Sequence, residues 1–459
     1  MSQVTPPNQQ PTNFRWVVFA MACGTSWLMY LHRYTWSLIK PELKQEFGVD
    51  NEQLGLLDSA FSLSYSLCQT PLGILGDLAG VHLVLTGMIL LWSVGLAMHA
   101  WGPTSKEALP QIMKQMWLAR VVFGIGQSGV YANLSRITRT WFPSSVRTRV
   151  QGWVGTFFGR TGGASGYFLV GSLILGLLVI PWRQAVYGLT GVGIMLGLAF
   201  LAFFRNAPSK HWAVNQAEAD LIEETDNGAA DTPSERPSFR EVLSRMSPRS
   251  IFNVLALNIQ TILSTLADNI YSAWIPTFLF DEHGMGTAER SFYATLPLLG
   301  GACGGVAGGW LNDYLIRTTG SRRWARTIVG LAGKGTAGVL LFGALFVYDD
   351  PRLFCGLLVV VKFFADWSLP STWGTTVDIG GKASATVFAW NNSIAGVGSI
   401  VAPVLYGSVS DDFGWNWVFV TGAAAYIVCA LSWLAVDASI PIVRESEERP
   451  DSDGNQSSE

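Results

Sequence analysis

Residues 71–77 read Pro71-Leu72-Gly73-Ile74-Leu75-Gly76-Asp77, and residues 307–313 read Ala307-Gly308-Gly309-Trp310-Leu311-Asn312-Asp313. Both contain a Gly-x-x-x-Asp turn, Gly73 to Asp77 and Gly309 to Asp313, and the copies stand 236 residues apart (309 − 73 = 236). One turn repeated within two series of apolar runs indicates a helical membrane protein built by duplication. Such proteins bind a transported solute near the bilayer midplane, between the two halves.

Around these turns, and taking about 20 residues as the length that crosses hydrocarbon, spans fall near 16–38, 53–75, 81–101, 112–135, 149–175 and 184–204. A second set falls near 250–280, 291–312, 327–348, 353–378, 385–408 and 416–437. Trp182 and Trp415 each open the last span of a set, a second echo of duplication. The fold expected is an all-α membrane protein of twelve transmembrane helices in two six-helix bundles. Composition agrees, with 49% hydrophobic residues, 14% charged and a mean hydropathy of +0.30, against roughly 25% charged in soluble domains.

The parts expected are a cytoplasmic N-terminal tail (1–14), an N-terminal bundle (15–205), a cytoplasmic linker (206–249), a C-terminal bundle (250–438) and a disordered acidic tail (439–459). The linker mixes Glu, Asp, Pro, Ser and Arg and is too short for a catalytic domain. The first apolar stretch runs well past any small-residue cleavage site, so it reads as a retained helix and not a signal peptide. Arg136, Arg139, Arg147 and Arg149 lie between spans four and five, and Arg317, Arg322, Arg323 and Arg326 between eight and nine. Alternate connections are acidic, as at Asp349-Asp350 and Asp411-Asp412. By the positive-inside rule both termini are cytoplasmic and the chain sits in the cell's inner membrane.

The net charge of −3 and the placing of Arg between spans leave no basic stripe for nucleic acid. The five cysteines show no CxxC or Cys/His spacing and read as small core residues. No metal or cofactor is expected, and the chain contains no HExxH, GxSxG or phosphate-loop sequence, so an enzyme is not expected. The glycines within spans, Gly300 to Gly309 among them, suit close helix packing and equally a moving interface.

An ion at mid-helix costs about 2.5–3.5 kcal/mol on insertion scales, so it should face protein or water and have a partner. Arg33, Arg120, Arg160, Lys334 and Lys362 are the interior cations, against Asp58, Asp268 and Asp366. That imbalance is one an anionic solute would neutralise. Lys334 and Arg160 can instead snorkel to water, and Lys362 with Asp366 can form an i,i+4 pair. Arg33 and Arg120 are the stronger binding candidates, because guanidinium offers a planar fork to a carboxylate or phosphate.

Ser59-Ala60-Phe61, Tyr65, Gln69, Pro71, Gly73 and Asp77 resemble the second helix and turn of the major facilitator superfamily, specifically its anion:cation symporter family of hexuronate, galactonate and sialic-acid-type transporters. Matches continue in order: Arg33-x-x-x-Ser37-x-x-x-Pro41, Arg120-x-x-x-Gly124, Trp141-Phe142-Pro143 with Arg147, and Trp182-Arg183. Pro208, His211, Asn215 and Glu218 follow, then Trp274 with Pro276, and Asn392 eleven residues before Pro403.

The resemblance implies that Arg33 and Arg120 bind the substrate's acidic group, that Tyr65, Tyr271 and Asn392 bind its hydroxyls, and that the Gly73/Asp77 and Gly309/Asp313 turns gate. It departs where the family usually has Asp and Glu, here His32 and Gln127, and at Leu78 and His82, where the family generally has Arg. Gln cannot titrate, whereas His has an unperturbed pKa of about 6.5. His32 can carry a coupling proton, coupling can have moved to Asp268 or Asp366, or transport can use sodium or run as facilitated exchange.

The function expected is secondary transport of a small organic anion, a hexuronate or aldonate, by a monomer in the bilayer. Two alternatives stand beside it: exchange of an organic phosphate for inorganic phosphate, and a transporter-like membrane sensor.

Overall fold

The computed structural model describes residues 10–102, 108–227, 246–381 and 384–442, and the fold is all-helical. The first half holds α1 (Arg15–Phe47), α2 (Asn51–Ala79), α3 (Val81–Ala100), α4 (Leu109–Ser128 and Val130–Trp141) and α6 (Trp182–Phe203). Between α4 and α6 runs α5, in four pieces: Ser144–Gly152, Trp153–Phe157, Phe158–Ser165 and Gly166–Leu177. A short helix, α7 (Gln216–Asn227), follows. The second half holds α8 (Pro248–Asn269, Ile270–Trp274 and Ile275–Asp281), α9 (Thr287–Thr319), α10 (Arg322–Ala344), α11 (Pro351–Ala365 and Ser368–Gly380), α12 (Ser384–Phe413) and α13 (Trp415–Ser432).

Among the described residues, eight of these rods are long and apolar enough to cross a membrane by length and composition. The other long helices, α1, α2, α4 and α5, carry Arg33, Lys40, Asp58, Arg120 and Arg160. The helix ends follow local chemistry. The Asp50 side chain accepts from Gln53 N at 2.6 Å to start α2, and Gly48, at φ 74°, takes the left-handed geometry that ends α1. That end lies nine residues past the expected limit (47 − 38 = 9), with Pro41 inside the helix, which brings Lys40, Glu42 and Lys44 into regular register.

Helices pack closely where side chains are small. A Cβ on Gly304 of α9 would lie 1.9 Å from the Phe363 carbonyl of α11, an approach only glycine permits. Within the first half α3 packs on α4 and α6, and α2 on α4. Within the second, α8 packs on α12 and α13, and α10 on α11 and α13. The halves meet where α2 lies along α12, α5 along α9 and α1 against α8.

The polar ends are partly folded onto this frame. Glu218 of α7 is fully buried and accepts from the backbone N–H groups of Phe14 and Arg15, both at 3.0 Å. Phe14 stacks on His211 with ring centroids 4.1 Å apart. The last part of the expected N-terminal tail is therefore pinned to the start of the expected linker. Ile442 is buried and donates its N–H to Ile379 O at 2.8 Å. Most of the acidic tail, and residues 228–245 of the linker, lie outside the described residues.

Candidate functional site

The halves are latched at one end. Lys44 of α1 donates to Asp281 of α8 at 2.6 Å, and Arg290 of α9 to Glu42 of α1 at 2.6 Å. Glu52 N of α2 donates to Asp411 of α12 at 2.8 Å, and the Ser59 hydroxyl to Ile400 O at 2.6 Å. A Cβ on Gly55 would stand 2.3 Å from Pro403 O, and one on Gly407 2.4 Å from Asn51 O. At the opposite end two sets of ion pairs among the described residues stay within a half. Asp77 pairs with Arg136 of α4, and Asp378 of α11 takes Arg322 at 3.1 Å and Arg326 at 2.6 Å. The structure is thus closed at the end of Glu42 and Asp281 and unlatched at the end of Asp77 and Asp378.

Part of the latch is built from an irregular helix. The Ile270–Trp274 stretch of α8 is a π-helical turn, a geometry that shifts carbonyls out of the regular ladder and recurs at functional sites. Ser272 O accepts from Ser37 at 2.8 Å and Tyr167 at 2.9 Å, and Ala273 O accepts from Lys40 at 3.1 Å. All three donors belong to the first half.

Between the latch and the open end lies a cavity of about 350 Å³, lined among others by Tyr30 and Tyr34 of α1, Arg160 of α5, Asp268 and Tyr271 of α8, and Asp366 of α11. A second lobe of about 240 Å³ shares Asp268 and Asp366 and adds Thr261, Ser264, Lys334 and Asn392. The ionic groups form one chain. Arg160 reaches Asp366 across the two halves at 2.8 Å, Lys362 joins Asp366 at 2.5 Å and Asp268 at 2.9 Å, and Lys334 lies 3.6 Å from Asp268. The Tyr426 hydroxyl donates to Asp268 at 2.7 Å. Asp366 sits at the break in α11 between Ala365 and Ser368. Such a break is tolerated at membrane depth where it is buried in protein or lines a cavity.

Several sequence expectations meet here. Tyr271, Asn392, Asp268 and Asp366 line the cavity. The i,i+4 pair of Lys362 and Asp366 forms, but as part of the larger network. Lys334 is 1% exposed and does not snorkel, and Arg160 is directed to Asp366. Of the adjacent asparagines, Asn391 is buried and accepts from Thr261 at 2.9 Å, while Asn392 is exposed at the second lobe.

Arg33 is half-buried and stacked among three rings, at 4.9 Å from Tyr30, 4.8 Å from Tyr65 and 5.1 Å from Phe61. Its Nε donates to the Gln127 side-chain oxygen at 3.0 Å, Gln127 donates in turn to Met29 O at 3.0 Å, and one terminal nitrogen of Arg33 has no hydrogen-bond partner. No carboxylate among the described residues lies within ion-pair distance of Arg33. Gln127 is thereby an orienting residue for Arg33, and Tyr65 part of the ring stack that holds it.

Arg120 does not fit the expectation of a substrate ligand. It is 3% exposed and donates to Asp58 at 3.0 Å and to Leu57 O at 3.2 Å; neither it nor Arg33 is among the residues that line the cavity, so what separates the two is the carboxylate that Arg120 faces. Asp58 also pairs with Lys40, a fully buried lysine that lies beyond the expected end of span one. Arg120 is therefore a structural cation in this conformation. His32 is also displaced from its expected role: it is fully buried and faces α3 and α6, its ring lying beside the point where Gly193 approaches Ser93. Adjacent helical residues point about 100° apart, so Arg33 and His32 address different neighbours.

The turns also differ between halves. Gly73 faces Ala132 closely and Asp77 holds Arg136, whereas Asp313 is exposed and makes no ion pair among the described residues. Asp378 with Arg326 occupies the corresponding end of the second half. Gly374 sits against the Arg326 guanidinium, where any Cβ would collide.

A duplicated set of helices, latched at one end around a charged cavity, is the architecture of a multi-pass membrane transporter and not of an enzyme. The chain belongs to the Major Facilitator Superfamily, whose family model matches residues 18–377 and 257–455. Its fold resembles a bacterial homologue of the human lysosomal transporter Spinster in an inward-facing, occupied conformation (TM-score 0.72, 15% identity, covering 93% of this chain and 97% of that one). It also resembles the partially occluded inward-open xylose transporter XylE of Escherichia coli (TM-score 0.67, 12% identity, 91% and 96% covered).

Sequence relatives extend over nearly the whole length. The probable sulfoacetate transporter SauU of Cupriavidus necator is 26% identical, with 95% of this chain and 96% of the relative covered. The D-galactonate transporter of Escherichia coli is 24% identical (93% and 96%), and the hexuronate transporter of Bacillus subtilis 22% (93% and 93%). The resemblance drawn from the span-two turn and its companions therefore holds for the whole chain.

Proposed function

We propose that this protein is a secondary transporter of a small organic anion, a sugar acid, working by alternating access. The observation that carries the reading is the cavity between the halves: Arg160, Lys362 and Lys334 line its two lobes against Asp268 and Asp366, Arg33 lies over the Tyr30 ring that forms part of the wall, and Thr261, Ser264 and Asn392 are at hand for hydroxyls. The relatives named for galactonate and hexuronate transport support the substrate class. Residues 15–205 and 250–438 move as two bodies. The distribution of Arg between spans puts the Asp77 end in the cytoplasm, so the latched state opens inward.

Arg33 receives the substrate carboxylate, because it alone of these cations has no carboxylate facing it. Coupling uses Asp366. An arriving anion competes for Arg160, and a proton on Asp366 removes the carboxylate charge that holds Arg160, so that the cross-half bridge breaks when substrate and proton are both present. Differential binding of this kind is what biases the two states. His32 faces away from the cavity and Gln127 cannot titrate, so neither serves. Flux of galacturonate, glucuronate and galactonate into proteoliposomes under imposed proton or sodium gradients tests the reading. Uptake of at least one, accelerated by an inward proton gradient, is expected. Absence of flux with every sugar acid refutes it.

A further inference from the structure

Three lysines are buried among the described residues: Lys40, Lys334 and Lys362. Lys40 donates to Asp58 and to Ala273 O, and Lys362 donates to Asp268 at 2.9 Å and to Asp366 at 2.5 Å. Lys334 makes no hydrogen bond among the described residues. Its ammonium stands 3.6 Å from Asp268, past hydrogen-bond reach, and 4.8 Å from the centre of the Tyr426 ring. An ammonium carries three donors, and at 1% exposure it is costly to leave them unmet.

Lys334 lines the second lobe, and two further groups in that wall are equally uncommitted. The Ser264 hydroxyl and the Asn392 side-chain amide make no hydrogen bond among the described residues. The two carboxylates of the lobe do not need Lys334 as a donor: Asp268 accepts from Lys362 and Tyr426, and Asp366 from Lys362 and Arg160. The lobe is built by the second half alone, from α8, α10, α11 and α12. It takes residues 260–268 of α8 and 388–395 of α12, whereas the first lobe takes 265–272 of α8 and Ser399 of α12. Both helices run toward the latch, which holds Asp281 and Asp411 at their far ends. The second lobe therefore lies nearer the open end.

We infer that the second lobe holds a separate site for a compact oxyanion, with Lys334 as its charged ligand and Ser264 and Asn392 as its neutral donors. Placed between the first lobe and the open end, it takes the acidic head of a solute on its way out, before release. That role rests on the sugar-acid reading above. The site itself does not, since a free inorganic oxyanion entering from the open end presents the same chemistry.

Binding of D-galactonate, D-galacturonate and sulfate to the purified full-length protein tests this. Arg33→Ala removes the first-half cation, and that variant should still bind at least one of the two sugar acids. Adding Lys334→Met should weaken that binding at least tenfold, the scale of a hydrogen bond to a charged group. Sulfate affinity should fall as much in Lys334→Met alone. Ser264→Asp puts a fixed carboxylate in the lobe and leaves Lys334 in place; it should reproduce both losses, and it decides should Lys334→Met not fold.

Sugar-acid and sulfate affinities that stay within twofold in these variants overturn the site and leave the sugar-acid reading standing. Sugar acids bound by wild type but not by Arg33→Ala overturn the release role, because the head then never rests on Lys334. If wild type binds neither sugar acid, the sugar-acid reading falls and sulfate decides the site: a tenfold loss in Lys334→Met upholds it for inorganic oxyanions, and absent or unchanged sulfate binding overturns it.

Discussion

Substituting Gly55 by Ala should drive the protein out of the latched state. The added Cβ would stand 2.3 Å from Pro403 O, 2.8 Å from Pro403 C and 3.0 Å from Val404 Cα, all backbone of α12, so no rotamer change relieves the clash. Ordinary contact begins at 3.4 Å, and α2 and α12 must therefore separate by about 1.1 Å (3.4 − 2.3 = 1.1). A separation of that size stretches Ser59–Ile400 from 2.6 to about 3.7 Å and Glu52–Asp411 from 2.8 to about 3.9 Å, past hydrogen-bond reach. One lost bond is neutral and one involves a carboxylate, together about 2–4 kcal/mol against the latched state. That corresponds to a shift of roughly 30- to 700-fold in its population relative to the opposite one.

Spin labels on Leu56 and Asp412, both exposed on α2 and α12, in a cysteine-free background, report the separation. Gly55→Ala should move their distance distribution to longer values, and uptake should fall because the cycle can no longer reach this state readily. A distribution and an uptake rate unchanged from wild type would refute the argument that backbone contact at Gly55 closes this end.

Arg33→Ala should abolish uptake while leaving thermal stability near wild type, since it removes a cation that no carboxylate balances. Arg120→Ala should instead lower the unfolding temperature in detergent, by the equivalent of about 1–3 kcal/mol for the lost bond to buried Asp58; an unfolding temperature unchanged alongside lost uptake would return Arg120 to the binding site. Gln127→Glu places a carboxylate against Arg33, so apparent affinity for the anion should fall at neutral pH and recover as pH drops and the new carboxyl is protonated. pH-independent affinity in that variant would mean the anion binds elsewhere. Asp366→Asn should remove the acceleration of uptake by an inward proton gradient while preserving exchange of substrate across the membrane; retained proton dependence would move coupling to Asp268.

The amino-acid sequence determined what depends on composition along one helix. Apolar length set the spans, the paired Gly-x-x-x-Asp turns marked the duplication, and charges within apolar runs identified the residues that must face protein or water. It could not assign those charges to one another, because ion pairs in this fold join helices far apart in the chain: Arg120 meets Asp58 across 62 residues, and Arg160 meets Asp366 across 206. Which cation stays free is a property of neighbours, and only packing made it Arg33 and not Arg120.

Facing was equally out of reach. Arg33 and His32, or Asn392 and Asn391, are adjacent and chemically matched to a binding role, yet Arg33 lies over Tyr30 of the cavity wall and Asn392 is exposed at the second lobe, while His32 and Asn391 are buried in helix contacts. Lys40 was lost for a local reason, since α1 continues through Pro41 to Phe47 and carries a lysine into the interior beyond the expected end of the span. A span's length reveals that its helix crosses the bilayer, but the rotation of that helix is set by the close approaches around it, here at glycines such as Gly55 and Gly304.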